Sequence, residues 1–266
     1  MVITGVGVVS PLGTGAVRLI DRWTAGECGI ENGVGRCSDF DPLDVLSRKQ
    51  TRRTDRFAQL GVAAAEEAMT MAGWGDGIPY DPDRVGSLVG TGIGGLATIS
   101  TEHAVLRERG PAAVSPLSVP LMMTNAASAA IAMRRGLQGP SFTVGSACAA
   151  GAHALGTAYR MIECGNADAM VSGGAESAIN EFATAGFGAM GATSRVGISR
   201  PFDSRRDGFV VGEGAGVLVL EDADCAKARG AKILGEMLGY GATSDAFHLT
   251  APELMGPGRP GQSGSR

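Results

Sequence analysis

The stretch from residue 140 to residue 177 reads as one complete strand–helix–strand unit, and it constrains the fold more than any other part of the chain. Ser141 to Val144 is typical of a strand end. From Ala149 to Cys164, apolar residues recur three or four positions apart, which predicts a helix. A Gly-Asn pair ends this helix, and an apolar strand follows from Ala169. Cys148 therefore lies where the first strand turns sharply into the helix.

The position of Cys148 has chemical consequences. The free N–H groups in the first turn of a helix favour negative charge, so a cysteine there ionises more easily, and the thiolate is the nucleophile. The same N–H groups can receive the oxyanion that forms when a thioester carbonyl is attacked. The position alone leaves an alternative open, in which Cys148 is a small buried apolar side chain. The neighbours that leave room for a substrate are Ser146, Ala147, Ala149, Ala150 and Gly151.

Strands and helices alternate along the rest of the chain, which predicts a layered α/β fold. The continuous apolar run Val2–Val9 is typical of a strand buried on both faces. Further strands are predicted at Arg84–Gly90, Gly216–Leu220 and Ile233–Leu238. Further helices are predicted around Val17, Leu19, Ile20 and Trp23, over Phe57–Met71, through Ile99 and Leu106, and over Met122–Met133 and Ala223–Arg229.

Charge and composition exclude several classes of protein. The net charge of −4 and the pI near 5.5 argue against a nucleic-acid binder. No segment is long and apolar enough to cross a bilayer, and the N-terminus lacks the features of a signal peptide. The 5 cysteines are scattered without a CxxC pair, which suits a reducing cytoplasm and predicts no metal site.

A glycine-rich turn, GTGIGG, follows the predicted strand Arg84–Gly90. Gly90, Gly92 and Gly95 match the GxGxxG fingerprint of dinucleotide-binding proteins. That fingerprint requires an acidic residue about twenty positions further on, where this chain has the proline-bearing GPAAVSPLSVP. We therefore interpret these glycines as turn and close-packing residues and expect no nucleotide cofactor.

One concentrated positive patch precedes the helix Phe57–Met71 in this acidic protein. A solvated charged face is one interpretation, and the docking of an acidic partner is the other, because such a patch would steer one. The patch consists of Arg48, Lys49, Arg52, Arg53 and Arg56.

Many collinear motifs resemble those of a β-ketoacyl-ACP synthase, the condensing enzyme of fatty-acid and type II polyketide synthesis, and the synthase II type most closely. They run in the family's order from residue 2 to about residue 252. The motifs are VITGVGVVSPLG, SRKQTRRTDRF, GTGIGG, SPLSVP, GPSFTVGSACAAGAHALG, ADAMVSGGAE, GFGAM, SRPFDSRRDGFVVGEGAGVLVLE and GATSDAFHLTAP.

The resemblance implies a thiolase-like layered α/β fold with two similar βαβαβ halves. Residues 1–252 would hold the N-terminal half and the start of the second. It also implies that Cys148 takes an acyl group from acyl carrier protein, after which malonyl carrier protein loses CO2 and its carbanion attacks the acyl-enzyme. Ile99 and Phe187 would line the acyl tunnel, with plain core packing as the alternative. The basic patch falls where the family holds its carrier protein, and the complete family member is expected to be a homodimer.

One departure from the family is large. The family places two histidines and a lysine in its second half, and family-like sequence stops here near Pro252. His153 lies roughly 140° around the helix from Cys148 and is expected to point away. The chain therefore reads as truncated, and we expect it not to condense acyl and malonyl groups alone. Residues 253–266 are rich in Gly, Pro and Ser, and we expect them to be disordered.

Two other functions stay open. One is a non-catalytic ketosynthase-like partner of the chain-length-factor type, against which the presence of Cys148 counts, because those partners typically lack the nucleophile. The other is a different thiolase-fold acyltransferase, such as a thiolase or a chalcone-type synthase. The SRPFD…RDGFVVGEGAG run favours the branch that uses a carrier protein over this second alternative.

Overall fold

The computed structural model describes residues 1–248 and Thr250. The predicted disorder of residues 253–266 falls outside the described residues. The strands are β1 Val2–Ser10, β2 Gly13–Thr14, β3 Val85–Gly90, β4 Ser141–Phe142, β5 Ala169–Ser177, β6 Glu213–Glu221 and β7 Gly235–Glu236. The helices are α1 Ala16–Thr24, α2 Arg48–Thr51, α3 Arg56–Met71, α4 Leu96–Arg109, α5 Ser118–Met122, α6 Ala126–Arg135, α7 Ala150–Glu163, α8 Glu181–Ala189 and α9 Ala223–Ala228.

The strands form one mixed sheet in the order β2-β1-β6-β5-β3-β4, and β7 pairs with the start of β1. Strand β3 runs parallel to both β4 and β5, whereas β6 lies antiparallel between β5 and β1. Helices cover both faces, so the predicted layered α/β fold is confirmed.

Helix α3 covers one face of the sheet, across β1, β6 and β5. Two glycines of β1 let it approach closely. A Cβ on Gly7 would lie 1.9 Å from the carbonyl oxygen of Ala64, and one on Gly5 would lie 1.9 Å from that of Ala68. The alanine-rich face of α3 and these glycines therefore bring helix and sheet backbones into contact, and the largest buried cluster of the described residues forms around them.

Helix α7 covers the other face, chiefly across β5 and β3, and it barely reaches β6. Ala154, Ala158 and Ile162 pack there against Leu88 and Met170. Beyond α7, the same face of β1 and β6 is open. Val6, Val8 and Leu218 are only partly buried on it, and Gly216 is exposed.

Two predicted elements differ from the structure. The predicted helix Met122–Met133 is confirmed from Ala126 onward, but its first turn is wrong, because α5 ends at Met122 and α6 begins only at Ala126. The carbonyl of Met122 accepts a hydrogen bond from the Gly95 amide at 3.4 Å, which draws the chain toward the glycine-rich turn. The predicted strand Ile233–Leu238 is reduced to the two residues of β7, which pair with the start of β1.

The sequence analysis predicted no helix where the structure has α8. Its N-terminus is capped by the side chain of Asn180, whose Oδ1 accepts a hydrogen bond from the Ala183 amide at 2.8 Å. Across the described part of the chain, no helix has the length and apolar character needed to cross a membrane.

Candidate active site

Cys148 lies in a single 3-10 turn, Ala147–Ala149, that leads directly into α7. The preceding residue, Ala147, has a φ of 43°, which is uncommon for a residue with a side chain and marks local strain. The thiol is exposed rather than buried. The interpretation of Cys148 as a buried apolar residue is therefore wrong.

Three glycines bring the start of α7 against strands β3 and β5. A Cβ on Gly90, the last residue of β3, would lie 2.2 Å from the carbonyl oxygen of Ala150. A Cβ on Gly174 would lie 3.1 Å from the Cα of Gly151. No side chain separates these backbones. The sheet therefore fixes the position of the start of α7, and with it the position of the Cys148 thiol.

A cavity of about 680 Å³ opens beside Cys148. The rings of Phe187 and Phe209 meet edge to face on its wall, with their centroids 5.2 Å apart. Val211 and several glycines and alanines complete an apolar lining. Such a space, with a thiol at its edge, suits an acyl chain carried on sulfur.

Glu176, at the end of β5, also lines this cavity and binds the glycine-rich turn. Its Oε2 accepts hydrogen bonds from the amides of Gly92 and Ile93, each at 2.9 Å, and from the Thr91 hydroxyl at 3.1 Å. A dinucleotide fingerprint would offer such amides to a pyrophosphate. Here an internal carboxylate takes them, which agrees with our interpretation of the turn.

Ile99 and Phe187, both predicted to line the acyl tunnel, lie in different places. Phe187 lines the cavity of Cys148, whereas Ile99 lies in a neighbouring cleft of about 470 Å³ with Phe182. Ile93 and Phe187 pack against Leu96, which also lines the second cleft. One small apolar cluster therefore separates the two spaces.

Arg56 does not share the exposed surface of its basic neighbours. Its guanidinium donates to Oε1 of Glu213 at 3.0 Å and to the Cys37 carbonyl at 2.9 Å, and it lies 4.9 Å from the centre of the Phe40 ring. The neighbours that remain exposed, with no ion pair to another described residue, are Arg48, Lys49, Arg52 and Arg53.

Glu213 was missed by the sequence analysis, although a carboxylate at the start of β6, directly after the apolar stretch FVVG, was a visible signal. Burial acts to raise its pKa, but hydrogen bonds from Arg56 and Ser177 prevail and lower it. Burial, together with the charge of Glu213, raises the pKa of Cys37 to about 12. This buried network supports the cavity wall from behind, since Gly212 and Gly214 on either side of Glu213 line the cavity.

The described lining of the cavity contains neither histidine nor lysine. His153 hydrogen-bonds through Nδ1 with the hydroxyl of Tyr240, and the two rings meet edge to face with centroids 5.9 Å apart. His103 lines the neighbouring cleft instead. The described lining of this cavity therefore combines a thiol and an acyl-sized space without an imidazole.

The sequence model of one protein family, the β-ketoacyl synthase N-terminal domain, matches residues 33–226 of this chain. The 3-oxoacyl-[acyl-carrier-protein] synthase 2 of Rhizobium meliloti (strain 1021) is 41% identical over 283 residues, covering 97% of this chain and 67% of that protein. The chain thus spans about two thirds of the length of this relative.

Solved structures agree with this. The ishigamide ketosynthase/chain length factor has a TM-score of 0.83 and 34% identity, over 94% of this chain and 65% of that one. A type II polyketide acyl carrier protein in complex with its ketosynthase bound to a hexaketide matches with a TM-score of 0.76 and 27% identity, over 87% of this chain and 65% of that one. Family model, sequence and thiolase-like fold together place this chain in the β-ketoacyl synthase family.

Proposed function

We propose that this chain carries the acyl-accepting site of a 3-oxoacyl-[acyl-carrier-protein] synthase. The observation that carries the proposal is the exposed thiol of Cys148, at the start of α7 and beside an apolar cavity of about 680 Å³. The 41% identity to a 3-oxoacyl-[acyl-carrier-protein] synthase 2 supports the same reaction. We also propose that this reaction serves fatty-acid or type II polyketide synthesis.

The first step is an acyl transfer. The Cys148 thiolate attacks the carbonyl carbon of an acyl thioester, and a new S–C bond forms. The oxyanion that forms can accept hydrogen bonds from amide N–H groups at the start of the helix, where the aligned peptide dipoles favour negative charge. Collapse of this intermediate breaks the original S–C bond, releases the donor thiolate and leaves the acyl chain in the cavity.

The second step is the condensation. A malonyl thioester loses CO2, its carbanion attacks the acyl-enzyme, and the 3-oxoacyl thioester leaves as the Cys148 thiolate is regenerated. Decarboxylation requires groups that stabilise an enolate, and the described cavity offers no imidazole or ammonium for this. We therefore expect the chain by itself to complete the first step and not the second.

The experiment that tests the proposal separates these steps. The purified chain is incubated with an acyl carrier protein bearing an octanoyl thioester, and the acylated peptide is identified by mass spectrometry. We expect acylation at Cys148, loss of that label in Cys148→Ser, and no 3-oxoacyl product after addition of malonyl carrier protein. Cys28 and Cys164 are also exposed and serve as internal controls. Acylation spread equally over all three thiols would refute the assignment.

The acidic carrier protein is the proposed partner of the exposed patch Arg48, Lys49, Arg52 and Arg53. Reversing two of these charges, Arg52→Glu with Arg53→Glu, is expected to weaken carrier binding about tenfold, since both attraction and steering are lost. Titration by fluorescence anisotropy at two salt concentrations measures the change. The matched control reverses Lys227 and Lys232, and equal weakening by both pairs would contradict docking at this patch.

Two further parts of the proposal have structural support. Homodimerisation is supported by β4, which lies at the edge of the sheet, is paired only with β3 and has an exposed Ser141. A reducing cytoplasm is supported by the five cysteines, all of which are free.

A chain-length-factor role is the second candidate, because the 34% identical ishigamide structure includes such a factor. It predicts tight pairing with a complete ketosynthase and no thioester on Cys148. The acylation experiment therefore decides between the two functions.

A further inference from the structure

Glu176 joins two segments that are far apart in the sequence. Its Oε2 receives three hydrogen bonds from the turn after β3, those of Thr91, Gly92 and Ile93. Its Oε1 accepts the Ser177 amide at 3.1 Å. Hydrogen bonds to an ionised acceptor are stronger than those between neutral groups. This one side chain therefore fixes the position of the whole turn relative to the end of β5.

The turn held by Glu176 reaches both the nucleophile and the cavity wall. A Cβ on Gly92 would lie 3.3 Å from Oε2 of Glu176 and 3.4 Å from the Cα of Ala147, so Gly92 fills the gap between the carboxylate and the residue before Cys148. The next residue, Ile93, packs into the apolar cluster that contains Phe187. Displacement of this turn would therefore move the cavity wall.

We infer that Glu176 is a positioning residue that sets the width of the acyl cavity and thereby its preference for long apolar chains. The inference rests on the proposed function, because it concerns the same cavity. Glu176 does not act as a base in this role, since its oxygens are engaged with the turn and with Ser177. Glu176 itself lines the cavity, and it acts on the acyl chain chiefly by holding Ile93, which packs in one cluster with Phe187.

Two substitutions separate the effects of geometry and charge. Glu176→Ala removes the acceptor of three amides, those of Gly92, Ile93 and Ser177, and frees the turn to move. Glu176→Gln keeps the size of the side chain and one acceptor oxygen, so the fold is retained while the charge-assisted bonds weaken.

Glu67 provides a matched control elsewhere in the molecule. It also accepts two backbone amides, those of Val8 and Ala16, each at 2.8 Å, and it is half-buried like Glu176. It does not line the cavity of Cys148. Glu67→Gln thus changes a carboxylate that also accepts hydrogen bonds from backbone amides, and it leaves the acyl site unaltered.

The experiment compares alkylation of Cys148 by iodoacetamide and by N-octyl iodoacetamide, with rates followed by peptide mass mapping. In each reaction the thiolate forms an S–C bond and iodide leaves. Iodoacetamide reacts with an exposed thiol whether or not the protein transfers acyl groups. The ratio of the two rates can therefore be measured even where the acyl-transfer proposal fails.

We expect the octyl-to-short ratio of rates to fall about tenfold in Glu176→Ala, the effect of one lost charge-assisted bond. It should fall by a smaller factor in Glu176→Gln and stay unchanged in Glu67→Gln. A constant ratio in the folded Glu176→Gln protein would overturn the inference. An equal fall in Glu67→Gln would also overturn it, because the effect would then be general destabilisation.

Discussion

Replacing Gly90 by alanine is expected to slow acyl transfer to Cys148 about a hundredfold, the cost of moving a reacting group by roughly 1 Å. The added Cβ would lie 2.2 Å from the carbonyl oxygen of Ala150 and 2.9 Å from the amide nitrogen of Gly151. These are backbone atoms, so no rotamer change can relieve the contact. Helix α7 must shift away from β3 and carry Cys148 with it.

The Gly90→Ala result can be distinguished from simple unfolding. Overpacking of this kind costs about 1–3 kcal/mol in the free energy of unfolding, which denaturant titration measures. The control is Gly235→Ala, in strand β7, where an added Cβ would have no atom within 4 Å. Wild-type rates of acyl transfer in Gly90→Ala would show that contact between β3 and α7 does not position the thiol.

Replacing Glu221 by alanine is expected to lower the free energy of unfolding by about 3–5 kcal/mol, the cost of breaking a buried ion pair from one side. Glu221 is 0% exposed. It accepts hydrogen bonds from Arg229 at 2.6 and 2.7 Å and from the hydroxyls of Thr4 and Tyr80. Its removal leaves a largely buried guanidinium and two hydroxyls without their acceptor.

Urea titration of Glu221→Ala and Glu221→Gln measures this effect. The glutamine variant should lose less stability, because it keeps one acceptor oxygen. The control is Glu163→Ala, which removes an exposed partner of Arg160 and should leave stability little changed. A loss of less than about 1 kcal/mol in Glu221→Ala would contradict the structural role given to this pair.

Local pattern was enough to predict the elements around the thiol. The strand end at Ser141, the helix after Cys148 and the helix Phe57–Met71 are confirmed, because each depends on periodicity and on stop signals within a few residues. The motifs carrying the family resemblance are equally local. They led to the family that the comparisons confirm.

What could not be predicted is long-range contact. The bonds between Glu176 and the turn at Gly92, and between Arg56 and Glu213, join residues 84 and 157 positions apart. No periodicity records such a pairing. For the same reason Arg56 could not be separated from its exposed neighbours, nor Ile99 placed in a different cleft from Phe187, before the structure was known.

Helices cover the two faces of the sheet unequally, and this determines where the protein would begin to unfold. Strand β5 is flanked by α3 on one face and α7 on the other, whereas β1 has its helix on one face only. Water therefore reaches the backbone ladder at the β1 edge far more readily than at the centre. Local unfolding would therefore begin at β1 and its short neighbour β2, and β5 would be the last strand to unfold.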